Sequence, residues 1–226
     1  MRNERWLSFD CYGTLIDWEG GLRGTFLGLG VADAARAVDI YMAIEPLIEL
    51  EGSLPYDDVL ERAIRGALSA LGLEHPTESI KDHLLRSLPT WQPFKEVAGA
   101  LEALARAGWR LAVLSNTEPW LFEFTRRSLA VNWDLIVTRK ESGSYKPAFG
   151  HWISFFNQSG ADPVNCVHVA ASLTYDIAPA KALGLRTVWI DRDGLGPSTG
   201  SIQPDRTLPD LGALGVVAAS LVEGLD

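Results

Sequence analysis

The chain has 226 residues, 47% of them hydrophobic and 22% charged, which suits one globular domain with a modest insertion and excludes a disordered, collagen-like or coiled-coil chain. Twenty basic and 29 acidic residues leave a net charge of −9, so the protein has no general attraction for nucleic-acid phosphates or anionic membranes. No apolar run approaches the ~18 residues that cross a bilayer, and the opening MRNERWLSFD has no long apolar segment. Cys11 and Cys166 are too few for a disulfide framework, and the four histidines are dispersed, so a cytoplasmic protein without a metal-ligand cluster is expected.

Residues 6–10 (WLSFD) read as a short buried strand that ends in a carboxylate. Gly13, in Cys11-Tyr12-Gly13-Thr14, permits a tight turn directly after it. Gly20-Gly21 reads as a hinge, and helical patterns follow over 34–50, 56–71 and 78–88. Pro46 must start, kink or end the first of these. Gly72 is a plausible stop for the second. After Pro93 the pattern alternates: helix 94–107, strand 109–114, helix 119–128, strand 135–138, helix 147–158, strand 166–170, helix 175–183, strand 186–190 and helix 211–221. Segment 193–208, with Gly194, Gly196, Pro197, Gly200 and Pro204, reads as a surface loop.

Strands alternating with helices predict an α/β fold, a Rossmann-like parallel sheet with right-handed crossovers. The helical block after the first strand is too long for a crossover. It is expected to form an inserted helical cap domain over 17–91, with 1–16 and 92–226 as the core domain.

Ligands of an open parallel sheet bind at the carboxyl ends of its strands. The first strand delivers Asp10, the second Ser115, Asn116 and Thr117, and the strand at 166–170 delivers Ala171, Ser172 and, one turn on, Asp176. Lys146 stands in Ser144-Tyr145-Lys146-Pro147, just before a helix. The set makes chemical sense. Asp10 can attack as a nucleophile and form an ester. Lys146 can keep it ionised. Ser115 and Asn116 can hydrogen-bond a substrate. Asp176 can hold Lys146 or help activate water. Backbone N–H groups around Gly13 and Thr14 can approach an anion. Singly, each residue has a duller role as a turn, cap or solvated residue. Together, on these elements and in this order, they make one crevice.

Phe9-Asp10-Cys11-Tyr12-Gly13-Thr14-Leu15, Leu114-Ser115-Asn116, Tyr145-Lys146-Pro147 and the stretch from Ala171 to Asp176 resemble the haloacid dehalogenase superfamily. Phosphatases of that superfamily place a second aspartate two residues after the nucleophile, where this chain has Tyr12. Their last motif usually presents two carboxylates, where this chain has Ser172 and then Asp176. The pattern resembles the L-2-haloacid dehalogenase branch. The resemblance implies hydrolysis of small 2-haloacids through an aspartyl ester, with no cofactor and no metal. Thr14, Ser115, Asn116, Lys146 and Asp176 are the supporting residues it implies, with Tyr12 and Ser172 also beside the substrate. Relatives are often dimers, which leaves a homodimer open.

Three departures mark the substrate-specific shell. The cap region expected to supply a halide-binding arginine is YMAIE, Tyr41 to Glu45, and Arg23 and Arg36 are the nearby alternatives. Leu173 replaces an asparagine three residues before Asp176. Trp152, beside His151, replaces a tyrosine and is expected to wall the pocket. His168, in mid-strand, reads as a satisfied core residue. A magnesium-dependent phosphatase and a catalytically weak binding protein are the alternative readings.

Overall fold

The computed structural model describes residues 4–52, 54–76, 79–196 and 202–222. Glu78, the first residue of the helix expected over 78–88, and Pro197 and Gly200 of the expected loop lie outside these.

Six strands form one parallel sheet: β1 (Trp6–Phe9), β2 (Arg110–Leu114), β3 (Leu135–Val137), β4 (Cys166–Ala170), β5 (Arg186–Ile190) and β6 (Arg206–Leu208). Their spatial order is β3-β2-β1-β4-β5-β6. The central strands WLSF and CVHVA are buried at every position, as strands covered by helices on both faces must be. The strand order reverses between β1 and β4, and the carboxyl-end crevice of a doubly wound sheet opens at such a point. One face of the sheet packs Trp6, Leu114, Val137, Trp152, Phe155 and Leu185 together.

The protein divides into two compact units, 1–16 with 93–115 and 129–226, and 17–92 with 116–128. The first unit holds the sheet. The second holds α1 (Trp18–Gly28), α2 (Ala34–Glu49), α3 (Tyr56–Ala70) and α4 (Ile80–Ser87). Segment 116–128, most of α6 (Pro119–Leu129), groups with this helical unit and not with the sheet. Its ties are tertiary: the Tyr56 N–H donates to Glu118 Oε1 at 3.2 Å.

The helices of the insert follow from local chemistry. Asp17 caps α1 by accepting the Gly20 N–H, and Asp33 caps α2 by accepting the Arg36 N–H. Pro46 stays inside α2, in its last turn, where its carbonyl still accepts from the Leu50 N–H. Gly72, with φ +70°, follows the end of α3. Gly20 and Gly21 are not a hinge. Both lie in α1, where a Cβ on Gly20 would strike the capping Asp17 and one on Gly21 the Trp91 indole.

The sheet unit is completed by α5 (Val97–Arg106), α7 (Arg139–Ser142), α8 (Gly150–Ser159), α9 (Ala178–Ala182) and α10 (Leu214–Val222). Two of its elements were not expected. The short helix α7 starts from a capping box in which Thr138 and Glu141 satisfy each other's backbone, a spacing visible in the sequence. Strand β6 ends the segment read as loop. Asp205, just before it, accepts from the Thr187 backbone N–H at 2.8 Å and from Lys181 Nζ at 2.8 Å, which pins the strand to the sheet edge.

Candidate active site

Asp10 follows the last residue of β1, and its backbone N–H donates to the Val169 carbonyl of β4 at 3.0 Å. The side chain therefore emerges where the strand order reverses. The chain then folds back sharply: the N–H groups of Leu15 and Ile16 both donate to the Cys11 carbonyl, and Gly13 takes φ +90°, which a side chain would strain. The turn returns the buried Thr14 to Asp10. Thr14 Oγ1 accepts the Ala171 N–H at 2.9 Å and donates to Asp10 Oδ2 at 2.8 Å, tying the ends of β1 and β4 together.

Lys146 Nζ donates to Asp10 Oδ1 at 3.0 Å and to Asp176 Oδ1 at 2.5 Å. The Lys146 side chain is 2% exposed and that of Asp176 3%, whereas Asp10 is 14% exposed, so Asp10 is the member of the trio open to a ligand. Asp176 is aimed inward by a wide turn over Leu173–Ile177, in which the Ile177 N–H reaches back to the Ser172 carbonyl at 3.1 Å. Ser172 Oγ caps this turn by accepting the Tyr175 N–H at 3.0 Å.

Burial disfavours charge on every member, and the trio answers it collectively. Burial pushes the Asp10 carboxyl above its ordinary 3.8, against the pull of Lys146. Burial acts on Asp176 likewise, but Lys146 and His168 outweigh it and hold Asp176 below 3.8. Burial also opposes the Lys146 charge, and the two carboxylates more than restore it, leaving the ammonium above 10.5. Burial raises both thiols, Cys11 well above 9.0 and Cys166 to about 12, which leaves them inert as nucleophiles.

Of the residues singled out from sequence, Asp10, Thr14, Lys146 and Asp176 are joined by these hydrogen bonds. Ser115 is buried at the end of β2, and its carbonyl accepts from His151 Nε2 at 3.0 Å. Burial and the nearby Lys146 lower His151 to about 3, so its ring is neutral. Tyr12 is half-buried and its backbone bridges Ile16. Asn116 falls in the other compact unit, where its amide donates to the Glu49 carboxylate at 3.2 and 3.4 Å. Trp152 was expected to wall the pocket. It is fully buried, with its ring 6.0 Å from Lys146 Nζ and edge-on to His168 at 5.3 Å, and so supports the network from within the core. In the insert, Tyr41 and Tyr56 hydroxyls donate to Glu45 Oε1 at 2.9 and 2.7 Å, while Arg23 and Arg36 are exposed.

Sequence reasoning passed over two groups. His168, read as core, is buried and satisfied, but one of its partners is Asp176. Arg192, two residues beyond β5, donates to the Gly13 carbonyl at 3.3 Å, the Thr14 carbonyl at 2.6 Å and Glu96 at 2.9 Å. Its guanidinium lies 3.5 Å over the Phe94 ring, so it clamps the turn that carries Thr14. The signal for both was their position: His168 on the strand beside the one that ends at Asp10, Arg192 at a strand's carboxyl end. Among the described residues, no group of three or more His, Cys, Asp or Glu side chains is arranged to hold a metal. No helix among them is long and apolar enough to cross a membrane.

The family model for haloacid dehalogenase-like hydrolases matches residues 5–184. The chain belongs to this hydrolase family. Haloacetate dehalogenase H-2 of Moraxella is 30% identical over 127 residues, 54% of this chain and 55% of its own length. The chain thus spans about half of that relative. A (S)-2-haloacid dehalogenase of Pseudomonas is 26% identical over 83% of both chains. A phosphoserine phosphatase of Thermus thermophilus is 28% identical over 67% of this chain and 61% of its own length. The fold is shared with the L-2-haloacid dehalogenase of Xanthobacter autotrophicus solved with chloropropionic acid covalently bound, at a TM-score of 0.82, 20% identity, and 99% and 100% coverage of the two chains.

Proposed function

We propose that this hydrolase cleaves the carbon–halogen bond of small 2-haloalkanoic acids through an ester on Asp10, without a metal. The observation that carries the reading is the partly exposed Asp10 carboxylate, oriented by Thr14 on one oxygen and by Lys146 on the other. In the first step a carboxylate oxygen of Asp10 attacks Cα of the haloacid. The new C–O bond forms as the C–X bond breaks, and halide leaves with the bonding pair. A halide needs no proton to leave, so Tyr12 in place of a second carboxylic acid is no handicap. In the second step water attacks Cγ of the Asp10 ester. Lys146, at hydrogen-bond distance from Oδ1, is placed to stabilise the oxyanion that develops there. Asp176 takes up the water's proton and passes it to the alkoxide oxygen as the bond from Cγ to the 2-hydroxyacid breaks, and the regenerated Asp10 acid loses its remaining proton to solvent. Ser115 lies at the neighbouring strand end for the substrate carboxylate.

The donor set also favours this reading over magnesium-dependent phosphoryl transfer. Asp10 and Asp176 both point an oxygen at one ammonium, and neither Tyr12 nor Ser172 adds a carboxylate. Similarity to the Thermus phosphoserine phosphatase supports the phosphatase as the second reading. The test gives the purified protein chloroacetate, L-2-chloropropionate and a generic phosphate ester, each with Mg2+ and with EDTA. Halide release that survives EDTA and is lost in Asp10→Asn is the expected result. Magnesium-dependent phosphate release without halide release overturns the proposal. Absence of turnover on every substrate points to a binding role. A single turnover in O-18 water adds a second check, since the ester route puts label into Asp10.

A further inference from the structure

We propose that Ser8 and His168 form a positioning pair that orients Asp176 for hydrolysis of the ester, an inference that rests on the aspartyl-ester reading above. The two residues are register partners on β1 and β4, and both are fully buried. Ser8 Oγ lies 2.9 Å from His168 Nδ1, and His168 Nε2 lies 3.2 Å from Asp176 Oδ1. An ionised carboxylate only accepts, so Nε2 carries a proton. In the neutral imidazole Nδ1 is then the acceptor, and the Ser8 hydroxyl donates to it. The order of donation, serine to histidine to carboxylate, is that of a hydrolytic triad with the two ring nitrogens exchanged. Here the serine is sealed in the sheet and holds the histidine's tautomer, and the histidine donates to the carboxylate.

The consequence lies in how Asp176 is occupied. Both His168 Nε2 and Lys146 Nζ fall on Oδ1, and no hydrogen bond among the described residues falls on Oδ2. A second donor on Oδ1 keeps the carboxylate from swinging both oxygens toward Lys146. It leaves Oδ2 as the oxygen that meets the attacking water. It also spares Lys146 for Asp10, which needs the same ammonium at 3.0 Å. The pair touches neither substrate nor water, so it acts through Asp176 alone.

The experiment follows both steps in the full chain with chloroacetate, comparing wild type with Ser8→Ala, His168→Leu and His168→Gln. Halide release is timed by quench, and the ester on Asp10 is followed by intact-protein mass spectrometry. The expected result is a retained one-equivalent halide burst with ester hydrolysis slowed about 10- to 100-fold in His168→Leu, so that ester accumulates. His168→Gln, which offers an N–H near the Nε2 position, restores much of the rate. Ser8→Ala shows a smaller slowing of the same step. Unchanged ester hydrolysis, or equal loss in both steps, overturns the pair. A wild type that releases no halide overturns the ester reading instead, and the pair is then judged by nitrogen-15 NMR of the resting protein. An Nε2-protonated His168 whose tautomer balance shifts in Ser8→Ala supports it, and an Nδ1-protonated ring overturns it.

Discussion

Exchanging Lys146 for methionine keeps most of the buried side-chain volume and removes the charge that Asp10 and Asp176 share. The ammonium's hydrogen bonds to the two carboxylates are 3.0 and 2.5 Å long, and the side chains of Lys146 and Asp176 are only 2% and 3% exposed, so water offers little replacement. Removing one partner of a buried pair costs about 3–5 kcal/mol. Loss of the ammonium pushes the pKa of both carboxyls upward. Asp10, already raised by burial and by repulsion from Asp176, is the acid that takes up the proton. The proposed nucleophile then loses the donor that orients it and is less readily ionised, and halide release falls by about 100-fold. The pH dependence of stability changes as well. In wild type, Asp176 titrates below its unfolded value, so its contribution is present above that value and is lost as pH falls through the folded one. In the variant the ammonium no longer opposes the burial that raises Asp10, so acidification narrows the stability gap between variant and wild type. Urea unfolding of both proteins at about pH 7.5 and about pH 5 measures this. A variant within about 1 kcal/mol of wild type at the higher pH, or one that gains nothing relative to wild type at the lower, refutes the reasoning.

Three further outcomes are expected. Thr14→Val removes the hydroxyl that joins the Ala171 N–H to Asp10 Oδ2, and lowers kcat for halide release about 10- to 100-fold in steady-state assays. His151, lowered to about 3 by burial and Lys146, stays neutral through the physiological range, and its ring-proton NMR signals do not move between about pH 5 and about pH 8. Because the unfolded chain takes up this proton near 6.5, stability falls as pH drops from there toward 3, and a His151→Gln variant loses that part of the acid sensitivity. Gly21→Ala drives a methyl into the Trp91 indole and lowers stability by about 1–3 kcal/mol in thermal or urea unfolding, whereas Gly24→Ala, with open space at its Cβ, does not.

Much of the sheet was readable because buried parallel strands carry continuous apolar runs, and the glycines and prolines between them punctuate clearly. Strand 166–170 and strand 186–190 appear at their expected bounds. The edge strand β6 was not readable, since Arg206, Thr207 and Leu208 carry no apolar run and join the sheet through Asp205. Gly20-Gly21 misled for a related reason. A glycine pair in sequence signals freedom, and only the neighbours show that these two serve close packing against Asp17 and Trp91.

The same division runs through the candidate site. Asp10 and Asp176 could be named from residue type and their places after strands, and Lys146 from its place just before a helix, because an ionised carboxylate in a buried crevice requires a cation and that cation a second acid. Local sequence also determined the Gly13 turn and the caps of the insert, which depend on residues within a few positions of one another. The direction of the polar chain depended on pairings far apart in sequence. Ser8 meets His168 across 160 positions, and Lys146 meets Asp10 across 136. No local pattern reports which oxygen of Asp176 is occupied, that Trp152 lies wholly inside the core, or that segment 116–128 packs with the helical insert. Those were decided by tertiary packing, because hydrogen-bond direction and burial are set by whichever strand or helix becomes the neighbour, and sequence spacing alone does not encode that.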